Sequence, residues 1–170
     1  MTDAPDEDIE GGPGWIIGGD LRPRITDVAA FRAGMAEDPL ASVIEALWTG
    51  DWRYALDVLR SLESSLRVRA LTADCLAASG DTASALQIYD ALVTETTGTP
   101  REATMRQHRG KVLLAAGRTD AAIADFAAAL ALRADADAKL RASSAHALRV
   151  ARRKGCRRAA PRNGEKRPLH

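Results

Sequence analysis

Three glycines, Gly50, Gly80 and Gly117, each end an apolar pattern of helical spacing, and the same series of residues follows each of them. Five positions on stand Ala55, Ala85 and Ala122; nine positions on stand Leu59, Tyr89 and Phe126; twelve positions on stand Leu62, Leu92 and Ala129. Counting back seven gives Val43, Ala73 and Gly110, and counting back four gives Ala46, Leu76 and Leu113. A register held on both sides of a turn marks a repeated supersecondary unit, which cannot bury its apolar face alone and must stack on its neighbours. The steps of three and four residues are those of a helix face. The chain is thereby constrained to helix, glycine turn, helix, three times over.

Local signals agree. Asp38 and Pro39 read as an N-cap and first helical position ahead of Val43, Ile44 and Leu47, with Gly50 closing that helix. Asp51 caps the next, whose inward stripe is Tyr54, Ala55, Val58, Leu59 and Leu62. A third helix runs from about Leu66 to Ser79, and Asp81 or Thr82 starts a fourth carrying Ala85, Leu86, Tyr89 and Leu92. Thr99-Pro100-Arg101-Glu102 has the form of a capping box with proline at the first position. Thr119 opens a sixth helix with Ile123, Phe126, Ala127 and Leu130 on one side, and Asp137 caps a last one reaching about Arg153. Alanine supplies 34 residues and aromatics only 4%, so the core is expected to form by close approach of small-faced helices.

In these residues the sequence resembles the tetratricopeptide-repeat family, whose unit has a small residue late in the first helix, a glycine turn, then alanine, an aromatic and alanine in the second. Gly110, Gly117, Ala122, Phe126 and Ala129 fit that pattern best; Ala73, Gly80, Ala85 and Tyr89 fit it less closely, and Gly50, Ala55 and Leu59 least. The resemblance covers roughly residues 37–134, with glycine spacings of 30 and 37 against a family period of about 34. It implies an all-α fold of stacked antiparallel hairpins, a short TPR-like α-solenoid with a C-terminal capping helix. It also implies that the first helices line a binding surface.

Around this core the chain divides into an acidic, glycine-rich segment, residues 1–24, a helical domain, 25–153, and a basic tail, 154–170. The first holds GGPG and GG and is expected to form no regular element. Its apolar island Trp15, Ile16, Ile17 is expected to dock back on the domain. Trp48 and Trp52 flank a turn and are expected to seal the first hairpin. The tail is expected to be disordered beyond about Gly155. Two cysteines, Cys75 and Cys156, make no disulfide framework, and a cytoplasmic location follows from that and from an acidic N-terminus unlike a signal sequence. No apolar run has the roughly 20 residues of a membrane span.

On the resemblance, the binding surface is lined by Arg67, Ala70, Asp74 and Ala77 from one unit and by Thr104, Gln107, Lys111 and Leu114 from the next. The family's carboxylate clamp of Lys, Asn and Arg is not reproduced there. Arg101, Arg106, Arg109, Lys111 and Arg118 face one nearby acid in sequence, Glu102, and give that hairpin a positive character suited to an acidic peptide. The same residues also read as solvated charges on an outer face. The expected function is that of a protein-interaction module or adaptor with Arg67, Asp74, Thr104, Arg106, Gln107, Arg109 and Lys111 at the site. The alternative is a regulatory or nucleic-acid-associated protein touching polyanions weakly through its tail, which has no aromatic for base stacking. His108, His146 and His170 show no metal spacing, and no phosphate loop or nucleophile motif is present, so neither enzyme activity nor a cofactor is expected.

Overall fold

The computed structural model describes residues 7–159. Three short strands come first: β1 (Ile9–Gly12), β2 (Trp15–Ile17) and β3 (Pro23–Ile25). Eight helices follow among the described residues: α1 (Val28–Gly34), α2 (Ala41–Trp48), α3 (Trp52–Arg60), α4 (Leu66–Ser79), α5 (Thr82–Thr96), α6 (Glu102–Ala115), α7 (Thr119–Leu132) and α8 (Ala138–Ala159). The protein is thus mostly helical, but it is not purely all-α.

The recurring glycines do what their spacing requires. Gly50, Gly80 and Gly117 adopt φ of 98°, 94° and 76°, the left-handed conformation that a residue without Cβ takes without strain, and each reverses the chain after a helix. The aspartates beyond the first two cap the next helix, Asp51 accepting from Tyr54 N at 3.2 Å and Asp81 from Ser84 N at 3.1 Å. Successive helices therefore run antiparallel: Tyr89 of α5 reaches Ala70 of α4, and Arg133 after α7 reaches Thr104 at the start of α6. Ala55, Ala85 and Ala122 are fully buried, as are Tyr89, Phe126, Leu92 and Ala129. Leu59 is buried too, but Leu62, its counterpart to Leu92, is exposed because α3 ends at Arg60. The crossing of α6 on α7 is tight, for a Cβ at Gly110 would lie 2.6 Å from the Phe126 ring.

Several expectations need correction. Residues 1–24 were expected to hold no regular element; within the described part, β1, β2 and β3 form an antiparallel sheet in that order. Its turn depends on Gly14, at φ 71°, whose carbonyl accepts from Thr26 N and Asp27 N, and where a Cβ would strike Asp27 O at 2.3 Å. So small a sheet is marginal alone and persists by docking on helices. Trp15 packs on Trp48 of α2 with ring centroids 4.7 Å apart, as the expected docking of that island requires. Leu21 inserts among Leu113, Leu114, Ala147 and Leu148 of α6 and α8, and Gly18 O lies 3.2 Å from His146 Nε2. The sheet thus bridges the first helical pair and the last helix. Helix α1, capped by Asp27 and burying Phe31, had no counterpart in the sequence reading.

At the other end, α8 runs past Arg153 and Gly155 to Ala159, so the expected domain limit at 153 falls inside a helix. Gly155 lies against Thr119 and Ile123 of α7. The remainder of the tail, residues 160–170, lies outside the described residues, as do residues 1–6. The capping box is also displaced. Glu102 accepts from Gly98 N, not from Thr99 N, and α6 starts at Glu102 with Arg101 as its cap residue.

Candidate functional site

Arg67 and Asp74 stand seven residues apart on α4, and Thr104, His108 and Lys111 stand at helical steps on α6, so each set shares a face of its helix. The two faces meet at Asp74. Its carboxylate accepts from Tyr89 Oη at 2.6 Å and lies 3.3 Å from His108 Nδ1, while the Tyr89 and His108 rings stack with centroids 6.1 Å apart. Burial alone would push the Asp74 carboxyl up, but His108, Tyr89 and the nearby Lys111 ammonium together hold it below the usual carboxylate range. The Tyr89 hydroxyl, buried and beside that carboxylate, is pushed well above its ordinary value. Lys111 is pulled down by burial and by the Arg133 guanidinium, with Asp74 opposing.

Arg133 is a second centre. Its side chain is 7% exposed, and its guanidinium donates to Ser144 Oγ at 2.9 Å, Thr104 Oγ1 at 3.2 Å and Leu140 O at 3.4 Å, all neutral acceptors. Gln107 completes this cluster, accepting from Ser144 Oγ at 3.0 Å and donating to Ser143 O at 3.4 Å. Gln107 is therefore sealed under α8, only 4% exposed.

The seven residues expected at one surface divide into three groups. Arg67, Asp74 and Lys111 stay on the face shared by α4 and α6, with Thr104 part-buried at its edge; Arg67 is exposed and bonded to Asp38. Gln107 is structural. Arg106 and Arg109 are turned toward α7, where Asp125, only 3% exposed, receives Arg109 Nε and Nη2 at 2.7 and 2.8 Å and Arg106 Nη1 at 3.3 Å. Arg106 also bonds Glu102 at 2.7 Å, and Arg109 bonds Asp90 at 3.0 Å. Hence the positive hairpin read from sequence is corrected: Asp125 and Asp90, distant in sequence, neutralise the two arginines that lay at its centre. Of the apolar residues expected to line the surface, Ala70 and Leu114 are buried.

Sequence reasoning missed the contacts of His108 and Tyr89 with Asp74, and Arg133 altogether. Tyr89 was placed correctly as a core aromatic, but the destination of its hydroxyl depends on how α5 lies on α4. Arg133 follows the last turn of α7 and has no periodic signal.

Cys75 is fully buried, and burial with the neighbouring Asp74 pushes its thiol up to about 12, so it is not a thiolate nucleophile at neutral pH. Among the described residues no group of three or more His, Cys, Asp or Glu is placed to hold a metal ion, and no helix is long and apolar enough to cross a membrane. Comparison with protein-family models, with curated proteins and with solved structures finds no match.

Proposed function

We propose that this protein is a non-catalytic interaction module of the tetratricopeptide-repeat type, which binds an extended segment of a partner protein along the face shared by α4 and α6. The observation that carries the reading is the Asp74–His108 contact, which joins the two first helices of consecutive hairpins into one polar face. His108 is about one third exposed there and Asp74 one quarter. Arg67 and Thr104 extend the face toward the N-terminal ends of α4 and α6, and Lys111 lies on the other side of the Asp74–His108 contact. The residues that hold it in place, Tyr89 beneath and Gln107 with Arg133 beside, are locked by packing, so the face is rigid before any partner arrives. Preorganisation of this kind lowers the ordering cost of binding. An acidic anchor on the partner suits Lys111, whose ammonium shares Asp74 with His108 and has Arg133 as a like-charged neighbour.

Photo-crosslinking tests this. A benzophenone side chain in place of Thr104 should capture a discrete partner in host extract, and one in place of the exposed Gln87 on α5 should not. Capture from position 87 with none from position 104 would move the binding surface off this face.

A further inference from the structure

The arginines on helices α1 to α6 are all accounted for. Arg32, Arg60, Arg67, Arg69, Arg106 and Arg109 each face a carboxylate, and Arg53 lies over the Trp52 ring at 4.4 Å. Helix α8 departs from this rule in part, since Lys139 pairs with Glu10 but other basic residues of the helix face no carboxylate among the described residues. It carries eight Lys or Arg and no Asp or Glu. Six of the eight, Arg149, Arg152, Arg153, Lys154, Arg157 and Arg158, fall in its last eleven residues, and all six are exposed. Arg149, Arg152 and Lys154 pair with no carboxylate among the described residues. Arg158 donates to Gly117 O at 2.6 Å and so brings the α6–α7 turn, with the exposed Arg118, to the same end of the molecule. Asp120 is the carboxylate nearest in sequence to that turn.

This array is held rigidly. Ala147, Leu148, Val150 and Ala151 bury one side of α8 against α6 and α7, so positions 149, 152, 153 and 156 face solvent opposite it, while Lys154 and Arg158 extend the buried side past its last apolar residue and are exposed at that end of the helix. Concentrating like charge on a fixed helix raises the free energy of the isolated protein, and a polyanion relieves it by counterion release. Three properties select the polyanion. The helix carries no aromatic residue, which removes the stacking platform that single strands use. From Arg149 onward its solvent side has only Cys156 between the charges, and its large exposed apolar side chain, Leu140, lies nine residues earlier, which is too little apolar surface for an interfacial membrane helix. A straight rod about 12 Å long from Arg149 to Arg157, at 1.5 Å per residue, matches a regular line of phosphates, and the major groove of B-DNA admits a helix where that of A-form RNA does not.

We propose that the C-terminal half of α8 is a docking surface for double-stranded DNA, engaged through the phosphate backbone without base recognition. The surface is separate from the α4–α6 face and stands whether or not that face binds a protein.

Fluorescence anisotropy of the full chain with a fluorescein-labelled duplex of about two helical turns tests it. Binding should be equal for unrelated sequences and should weaken about a hundredfold between 50 and 200 mM salt, as about four phosphate contacts require. The triple variant Arg149→Gln, Arg152→Gln, Lys154→Gln should lose at least tenfold in affinity at low salt, and its logarithmic salt slope should be shallower by about 3. The charge-preserving Arg149→Lys, Arg152→Lys pair should bind nearly as the parent does. Saturating duplex should also slow alkylation of the exposed Cys156, with the buried Cys75 silent. The proposal is overturned if the folded triple variant binds like the parent, or if Arg162→Gln, Lys166→Gln, Arg167→Gln alone abolishes binding. Tighter binding to single strands, duplex RNA, polyglutamate or phosphatidylserine vesicles would also overturn it, as would Cys156 alkylation at an unchanged rate.

Discussion

At the scale of single residues, Asp125 has most to say about how the charges are used. It is the least exposed acid among the described residues and holds Arg109 in a two-point contact with Arg106 added, so the ions stabilise one another only as a set. Burial works against the Arg109 charge, but Asp125 first and Asp90 second hold its guanidinium above its ordinary value. The double change Arg106→Glu, Arg109→Glu would read from sequence as an exposed charge reversal of small cost. The structure predicts instead a loss of about 3 to 5 kcal/mol, because a buried carboxylate would be left facing two more. Urea denaturation measures this, and a midpoint close to the parent's would show Asp125 to be solvated. Tyr89→Phe is the milder test of the neighbouring cluster. It removes the donor to Asp74 and to Ala70 O while keeping the ring, and should cost about 1 to 3 kcal/mol by the same measurement.

Elements show where local propensity ran out. Helices α4, α5 and α7 lie where the sequence signals put them: α4 stops at Gly80, Asp81 caps α5, and α7 opens at Thr119 just after the Gly117 turn. Strands β1 to β3 had none of these: three or four residues, interrupted by glycine and proline, carry no alternation long enough to read. Their existence depends on contacts such as Leu21, which is 3% exposed and sits at φ 65°, a strained conformation that packing against α6 and α8 must offset. Leu21→Ala keeps the strain and loses the packing, so it should lower stability by about 2 to 5 kcal/mol in thermal or urea unfolding. A flexible lead-in would leave it silent. Helix α8 makes the converse case: Gly155 looked like a stop but lies within the helix, with room for a Cβ at 3.5 Å from Thr119. Gly155→Ala should therefore stabilise by up to about 1 kcal/mol, seen as a higher melting temperature.

For the whole molecule, the carboxylates set the response to acid. Arg67 holds Asp38 below its usual range, Arg32 does so for Glu45, Ser84 for Asp81 and the Gly98 amide for Glu102, and Asp74 is held low against its burial. Each folded value lies below that of the unfolded chain, so on acidification the unfolded chain takes up protons first. Stability should be flat from pH 7 to about 5 and fall progressively below the ordinary carboxylate range near 4. Denaturant midpoints at pH 7, 5 and 3 check the sign, and equal midpoints at 5 and 3 would contradict it. What the sequence determined by itself was the helical class, the three glycine turns and the residues that fill the crossings behind them, because those follow from contacts within a hairpin. What only the tertiary structure decided was the distant partner of charges such as Arg32, Arg67 and Arg109, the bridge formed by the N-terminal sheet and the length of α8. Those depend on residues 13 to 129 positions apart meeting in space, and no local pattern along the chain encodes such a meeting.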